Sequence, residues 1–301
     1  MMRTSSPLTP PRHGLAAGQA GHPGSADWTI PQEWDSYTAQ EHATWKTLFD
    51  RQVQLLPRRA CDAFLQGLRD LPLDAECIPD FDRLNEVLIQ RTGWQVVAVP
   101  GLVPDEVFFE HLAHRRFPSG NFIRKPHQLD YLQEPDIFHD VFGHVPMLMN
   151  PAMADFIQAY GEGGLRAQSL GVLDKLARVY WYTVEFGLVR QDDGLRLFGA
   201  GIASSSSETV FCLESDSPNR VRFDLERVMR TRYRIDDFQE SYFVLEDLNE
   251  LLSLAHIDFT PVYQRVADAC DHEPGHLLES DTVILKGSGR YHVAQRREVT
   301  L

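Results

Sequence analysis

The sequence predicts an α+β fold that is mainly helical, with a few short β-strands, in one principal domain. Amphipathic helical patterns recur along the chain, whereas apolar runs of strand length are few. No internal repeat and no linker is visible between Ile30 and Ala269. With 301 residues, 43% of them hydrophobic, the chain can bury a large core.

The first half of the chain predicts helices around an early strand. Thr38 and Glu41 have the spacing of a capping box, and apolar residues recur at helical spacing from there to Pro57. Further helical patterns lie at 58–71, 79–90 and 104–114. Apolar runs predict short strands at 94–99 and 121–124. We expect most of these helices to be packing elements without chemistry.

In the second half, Pro151 starts a helix that the glycines at 161, 163 and 164 are expected to end. The strongest helical pattern covers 171–190. It precedes a strand at 195–198 and helices at 207–213, 223–231, 245–255 and 259–269. The segment 283–293 has the pattern of a hairpin. The predicted boundaries are a disordered tail at 1–26, a domain at 27–270 and a C-terminal tail at 271–301.

Charge and cysteine usage exclude several classes of protein. The net charge of −14 and the pI near 5.3 argue against a nucleic-acid partner. The chain has no apolar run of the ~20 residues that span a bilayer and no signal-peptide core, so we expect a soluble cytoplasmic protein without a membrane partner. The four cysteines are widely separated, which predicts reduced thiols: Cys61, Cys77, Cys212 and Cys270.

Two histidines five positions apart, His139 and His144, are the first candidates for chemistry. On an undistorted α-helix this spacing places the side chains on different faces. Gly143 and Pro146 are residue types that end or bend a helix, so we expect a break that turns both rings toward one point.

Glu185 is the best candidate for a third metal ligand, because it is the one acid in an apolar and aromatic run, 179–188. A buried carboxylate is costly unless a cation or strong donors meet it. Two imidazoles and a carboxylate form the facial triad of non-haem Fe(II) oxygenases, but they also suit zinc. The spacing alone leaves two simpler explanations open. Twelve histidines produce such a pair by accident about half the time, and Glu185 could pair with a buried arginine.

Three stretches in consistent order carry a resemblance to a known family: EPDIFHDVFGHVP, YWYTVEFGL and FGAGIASSSSE. Over 94–255 the chain resembles the catalytic domain of the pterin-dependent aromatic amino acid hydroxylases, closest to their bacterial branch. The resemblance implies that 27–270 is a catalytic domain in which His139, His144 and Glu185 hold Fe(II). It also implies pterin contacts from Gly101, Leu102, Val103, Phe108 and Asp140.

On the substrate side, the resemblance implies that Arg124 clamps the carboxylate of an amino acid, as its planar fork suits. It implies a border of Trp181, Phe186, Gly201, Ser204 and Ser205, with Ser204 also donating a hydrogen bond that orients His139. Tyr180 and Glu208 are expected beside the iron and pterin region. Asp140 stands where animal members have Glu, and Leu132 and Gln133 stand where they have Thr-Pro.

The implied reaction is hydroxylation of L-phenylalanine to L-tyrosine with O2 and a tetrahydropterin, either tetrahydrobiopterin or a bacterial analogue, as the first step of phenylalanine catabolism. We expect a monomer that depends on a separate pterin-recycling enzyme. Hydroxylation of tyrosine or tryptophan is the alternative within the family. A zinc-dependent hydrolase with the same ligands, or a structural metal in an interaction module, is the alternative outside it. An open site walled by aromatic residues discriminates the hydroxylase from both.

Overall fold

Helices make up about half of the described residues, and two small sheets are also present, which confirms the predicted fold class. This computed structural model describes residues 25–130, 132 and 134–298. Residues 1–24 of the predicted tail and Gln133 lie outside this part of the chain. Among the described residues, no helix combines the length and the apolar character needed to cross a bilayer.

In the described part of the chain, four α-helices precede the His139 stretch, in agreement with the predicted pattern. α1 begins at a capping box in which the Thr38 hydroxyl accepts from Glu41 N and the Glu41 carboxylate accepts from Thr38 N. The four are α1 (Ala39–Leu55), α2 (Asp62–Asp70), α3 (Phe81–Thr92) and α4 (Asp105–Ala113).

Two π-helical segments, Phe138–His144 and Trp181–Glu185, carry the candidate ligands. The first continues directly into α5, and the second follows directly on α7. The later α-helices are α5 (Val145–Leu148), α6 (Pro151–Ser169), α7 (Leu173–Tyr180), α8 (Ala200–Ala203), α9 (Ser206–Glu214), α10 (Leu225–Met229), α11 (Asn249–Ala255), α12 (Thr260–Val266) and α13 (Arg290–Glu298).

The sheets hold strands that are distant in sequence. β1 (Gln95–Val99) pairs in parallel with β2 (Arg116–Gly120). The other sheet has the order β4-β3-β6-β5-β7, with mixed parallel and antiparallel pairs. Its strands are β3 (Leu188–Gln191), β4 (Gly194–Leu197), β5 (Asn219–Arg222), β6 (Ser241–Leu245) and β7 (Val283–Leu285). The strand predicted at 121–124 is wrong, because α4 turns at Arg115, with φ 54°, straight into β2 beside β1.

The helix that begins at Pro151 does not end at its glycines. α6 runs through Gly161 and Gly164 to Ser169, so that prediction is wrong. A Cβ on Gly161 would lie 2.4 Å from Ala113 N, and one on Gly164 would lie 2.1 Å from the Phe109 ring. These two glycines therefore allow α6 to pack closely against α4, and they do not act as helix breakers.

Two further predictions are corrected. The helix predicted to reach residue 190 ends at Glu185, because Leu188 pairs with Leu197 and Val244 in the sheet. The hairpin predicted at 283–293 is absent: β7 pairs instead with β5, and residues 290–298 form α13. Gly289, with φ 65°, makes the turn between strand and helix that glycine readily adopts.

The core lies directly behind the first π segment. The Phe138 and Phe142 rings stack at 4.8 Å, and the Phe49 ring of α1 meets Phe142 at 5.4 Å. On α2, a Cβ at Gly67 would lie 2.0 Å from the Pro146 carbonyl oxygen, so the two segments are in direct contact. The histidine segment therefore rests on rigid packing, which fixes where its rings can lie.

Candidate active site

The spacing of His139 and His144 is explained by a widened turn. Hydrogen bonds in a π-helix join residues five apart, so residues i and i+5 lie one turn apart on the same side. Both histidines belong to such a segment, Phe138–His144, and Pro146 sits in α5, which continues it. The predicted break at Gly143 and Pro146 is therefore wrong, although the predicted convergence of the rings is present.

The third ligand candidate, Glu185, ends the second π segment and is 7% exposed. Its Oε1 lies 3.2 Å from His144 Nε2, and its Oε2 lies 3.6 Å from His139 Nε2. The two Nε2 atoms are 3.2 Å apart. Ligand atoms about 2.1 Å from one ion, at angles between those of an octahedral face and a tetrahedron, are roughly 3.0–3.4 Å apart. Two of the three separations fall in this range and the third exceeds it by about 0.2 Å, so a small side-chain adjustment brings the three donors onto a common metal ion.

The protonation of His139 suits metal binding. Burial, opposed by the nearby Glu185 carboxylate, lowers the pKa of His139 to about 4. The ring is therefore neutral at physiological pH, and one nitrogen has a free lone pair. Among the described residues, the set of His139, His144 and Glu185 is the cluster whose donors can meet one ion.

Ser204 determines which nitrogen of His139 is free. Its Oγ lies 2.9 Å from His139 Nδ1 and donates its hydrogen to the Ala200 carbonyl oxygen at 2.8 Å. A hydroxyl has one hydrogen, so Ser204 accepts from Nδ1–H and leaves Nε2 unprotonated toward Glu185. The predicted contact is present, and the bond to Ala200 favours Ser204 as its acceptor, whereas the resemblance implies a donor.

The residues assigned to the pterin line one small cavity beside the triad. Phe108 and Tyr180 form an edge-to-face pair at 6.0 Å in its wall. The Asp140 carboxylate accepts from Gly120 N at 2.8 Å, and burial raises the pKa of Asp140 to about 7. All five predicted residues border this cavity: Gly101, Leu102, Val103, Phe108 and Asp140. Their role toward a pterin stays a prediction.

The residues assigned to the substrate line a second cavity, of about 420 Å³, on the other side of the triad. This volume is within the range of small-molecule sites. The indole of Trp181 lies 4.7 Å from the Phe186 ring and stacks on Tyr233 at 4.3 Å. All six predicted residues border this cavity: Arg124, Trp181, Phe186, Gly201, Ser204 and Ser205. Their contacts with a substrate stay predictions.

Arg124 is already held by a buried partner. Its Nε and Nη2 bond to the two oxygens of Asp136 at 2.9 and 2.8 Å, and Asp136 is fully buried. Burial alone would raise the pKa of Asp136, but the Arg124 guanidinium holds it below its usual value. The Nη1 atom makes a longer contact, 3.3 Å, with the Leu129 carbonyl oxygen. The edge of Arg124 that Asp136 does not cover is therefore the Nη1–Nη2 edge.

Sequence reasoning missed several residues that line this cavity or hold its lining residues in place. Asp136 lies inside the quoted motif, so an acid opposite Arg124 could have been found there. Arg51 of α1 bonds to Asp130 at 2.6 Å and to the Leu129 carbonyl oxygen at 2.9 Å. Gln239 accepts from Trp181 Nε1 at 2.9 Å. Arg51 and Gln239 carry no local signal, because each reaches its partner across a long stretch of chain.

Comparison with known proteins assigns the family. Residues 29–265 match the family described as biopterin-dependent aromatic amino acid hydroxylase. The chain belongs to this family. The resemblance noted in the sequence is thereby confirmed.

Similar members of the hydroxylase family come from bacteria. The phenylalanine-4-hydroxylase of Caulobacter vibrioides is 58% identical over 271 residues, which cover 90% of this chain and 92% of the relative. The phenylalanine-4-hydroxylase of Chromobacterium violaceum is 57% identical over 261 residues, which cover 87% of this chain and 88% of the relative.

Solved structures of the C. violaceum enzyme share the fold of this hydroxylase. The structure with iron and phenylalanine bound has a TM-score of 0.83 at 55% identity, covering 87% of this chain and 95% of that chain. The structure with iron(III) and 7,8-dihydrobiopterin bound has a TM-score of 0.83 at 57% identity, covering 87% and 94%.

Proposed function

We propose that this hydroxylase converts L-phenylalanine to L-tyrosine, using O2, a tetrahydropterin and Fe(II) held by His139, His144 and Glu185. One observation carries the proposal: His139 and Glu185 border both cavities, so the triad lies between the pterin side and the substrate side. A reaction in which two organic molecules and O2 must meet at one metal ion requires this arrangement. The phenylalanine-4-hydroxylases at 57–58% identity support the choice of substrate.

When bound, the ferrous ion and the reduced pterin supply the electrons that turn O2 into an oxidant. The residues of the protein itself position the substrate. Arg124 binds the substrate carboxylate through its Nη1–Nη2 edge, since Asp136 holds the other edge. Trp181 and Phe186 hold the aromatic ring near the triad and exclude water from it.

The alternatives are less well supported. Hydroxylation of tyrosine or tryptophan would use the same parts, but the bacterial relatives with the highest identities are named for phenylalanine. A zinc hydrolase would need polar groups around a metal-bound water. The cavity wall beside Glu185 contains aromatic residues, Trp181 and Phe186, together with polar ones such as Ser204 and Glu208, and the family match over 29–265 decides for the hydroxylase. A structural metal would need a closed shell, whereas this triad borders two cavities.

Several finer points belong to the proposal. We infer that 27–270 forms the catalytic domain, a boundary supported by the family match over 29–265. The enzyme would act as a monomer in the cytoplasm, in phenylalanine catabolism. It would need a second enzyme that reduces the oxidised pterin, because each turnover consumes two electrons from it.

The test is an assay of the purified protein with Fe(II), a tetrahydropterin and O2, given each of the three aromatic amino acids in turn. We expect tyrosine from phenylalanine, with a kcat/KM at least tenfold above the values for hydroxylation of tyrosine and tryptophan. Glu185→Gln keeps the shape of the side chain but removes the charged ligand. We expect it to lower iron content and abolish tyrosine formation, while the circular dichroism spectrum stays that of the wild type.

A preference for tyrosine or tryptophan would show that the protein is a tyrosine or tryptophan hydroxylase of the same family. Full activity of Glu185→Gln at full iron occupancy would show that Glu185 is not a metal ligand. Hydrolytic activity with Zn²⁺ and no pterin requirement would overturn the proposal.

A further inference from the structure

One wall of the substrate cavity is a loop, residues 235–239, which follows α10 and precedes β6. All five residues of this loop border the cavity. A loop is more mobile than a helix or a strand unless contacts with other parts of the chain restrain it. The contacts that hold this loop therefore decide how well the cavity keeps its shape.

The C-terminal helix α13 supplies those contacts. Tyr291 Oη donates to Asp237 Oδ1 at 2.9 Å, and His292 Nε2 donates to the Phe238 carbonyl oxygen at 2.8 Å. The Tyr291 and Phe238 rings are 5.2 Å apart, and Phe238 stacks on Phe211 of α9 at 4.3 Å. Burial and the Asp237 carboxylate raise the pKa of Tyr291 to about 12, so the phenol remains a donor.

The start of α13 is itself fixed to the body of the molecule. Ser288 N and Gly289 N donate to the carbonyl oxygens of Asp216 and Ser217 at 2.7 and 2.9 Å. Tyr291 N donates to Ser217 Oγ at 3.1 Å. A Cβ at Gly287 would lie 2.2 Å from the Ser217 carbonyl oxygen, so the backbones are in close contact. The helix can therefore act as a rigid support.

The loop also contacts the aromatic wall of the cavity, so its position affects the position of that wall. Gln239 Oε1 accepts from Trp181 Nε1 at 2.9 Å, while Gln239 Nε2 donates to the Arg234 carbonyl oxygen at 3.0 Å. Trp181 begins the π segment that ends at the ligand Glu185. A shift of the loop would therefore move the indole that borders the substrate ring.

We propose that Tyr291 and His292 are positioning residues that hold the 235–239 loop, and through it Trp181, in the geometry that phenylalanine needs. The C-terminal helix therefore supports the active site, although it lies beyond the matched residues 29–265. The inference rests on the proposed function for its kinetic consequences. The hydrogen bonds themselves can be tested without activity.

The experiment compares Tyr291→Phe with the wild type as iron-loaded enzymes. The variant keeps the ring and removes the hydroxyl that bonds to Asp237. We expect the KM for phenylalanine to rise roughly three- to tenfold, with kcat within about twofold. We also expect less tyrosine per tetrahydropterin oxidised, because a misplaced ring is hydroxylated less often. Val293→Ala, at an exposed position two residues after Tyr291 in the same helix, is the matched control and should behave as the wild type.

Two further measurements separate positioning from general damage. Asp237→Asn weakens the same hydrogen bond from its other end, so the double variant should raise KM no more than the stronger single variant. Amide hydrogen exchange at 234–239 should be faster in Tyr291→Phe, with the melting temperature within a few degrees of the wild type. This readout needs no turnover, so it stays informative if the proposed reaction is wrong. Unchanged exchange at the loop, or additive effects in the double variant, would overturn the inference.

Discussion

Glu208 is a buried residue at this site whose charged form is disfavoured. It is 6% exposed and borders the substrate cavity, and its Oε1 accepts from the Tyr242 hydroxyl and from Gln239 N. Among the described residues, no cation forms an ion pair with it. Burial raises the pKa of Glu208 to about 7, and the two hydrogen bonds lower it only in part.

This raised pKa predicts how stability depends on pH. Below the ordinary value of 4.5 the carboxyl is protonated in both the folded and the unfolded chain and has no effect. As pH rises from there to about 7, the unfolded chain releases its proton first, so the folded state loses stability. At about 1.4 kcal/mol per pKa unit, the loss reaches roughly 3 kcal/mol at most.

We therefore expect Glu208→Gln, which keeps the acceptor oxygen, to gain unfolding free energy relative to the wild type by roughly 1–3 kcal/mol between pH 5 and pH 8. Urea unfolding across that range measures the difference. Glu279→Gln, at an exposed position, controls for the loss of one carboxylate. A difference between wild type and Glu208→Gln that does not change with pH would show that Glu208 titrates alike in both states.

At the scale of elements, the packing of α6 on α4 depends on which glycines face the neighbouring helix. Gly164 lies against the Phe109 ring, whereas a Cβ on Gly163 would meet Leu176 at 3.9 Å, an ordinary contact. We expect Gly164→Ala to lower the unfolding free energy by about 1–3 kcal/mol through overpacking. Gly163→Ala should raise it by up to about 1 kcal/mol, because alanine favours the helix.

Thermal or urea unfolding of the two variants provides the comparison, with identical chemistry at adjacent positions. Equal stability of the two would mean that α4 moves aside at little cost. It would then follow that the α4–α6 contact does not need a glycine.

The comparison of elements also shows what the sequence can predict here. Helices such as α1, α4 and α7 begin close to their predicted positions, because the apolar pattern and, in α1, the capping box are local signals. The glycines of α6 were misread, since a local pattern cannot distinguish a glycine that breaks a helix from one that admits a neighbour. β5 and β6 were missed, because their pairing joins residues such as Asn219 and Ser241 that no local pattern connects.

The candidate site was predictable to the extent that its residues belong to quoted motifs. The triad and both sets of lining residues border the expected cavities. The π geometry that brings His139 and His144 together was not predictable, because spacing alone is consistent with a break. Arg51, Gln239 and Tyr291 were also missed, since each acts through a partner that only the fold brings near.

At the scale of the whole molecule, the site is held together by contacts between distant parts of the chain. Lys175 and Arg178 of α7 both pair with Asp271, and Arg227 of α10 pairs with Asp281 in a buried ion pair. The bonds to Asp271 attach the C-terminal segment to α7, the helix that leads to Glu185, and the bond to Asp281 attaches it to α10. The segment predicted as a tail is therefore packed on the domain at these residues.

Because the three ligand candidates come from two separate π segments, a bound metal should stabilise the whole fold. A ligand that binds only the folded state at 100 times its Kd adds about 2.7 kcal/mol. For a chain of this size, with an unfolding entropy of about 0.6 kcal/mol/K, that corresponds to a rise in Tm of roughly 4–5 °C. We expect the chelated wild type to regain this rise with Co²⁺, a probe without the redox chemistry of iron, and Glu185→Gln to regain little of it. His276→Ala, which removes an exposed histidine outside the triad, should respond as the wild type does. An equal rise in Glu185→Gln would mean that the ion stabilises the protein from somewhere other than the junction of the two π segments.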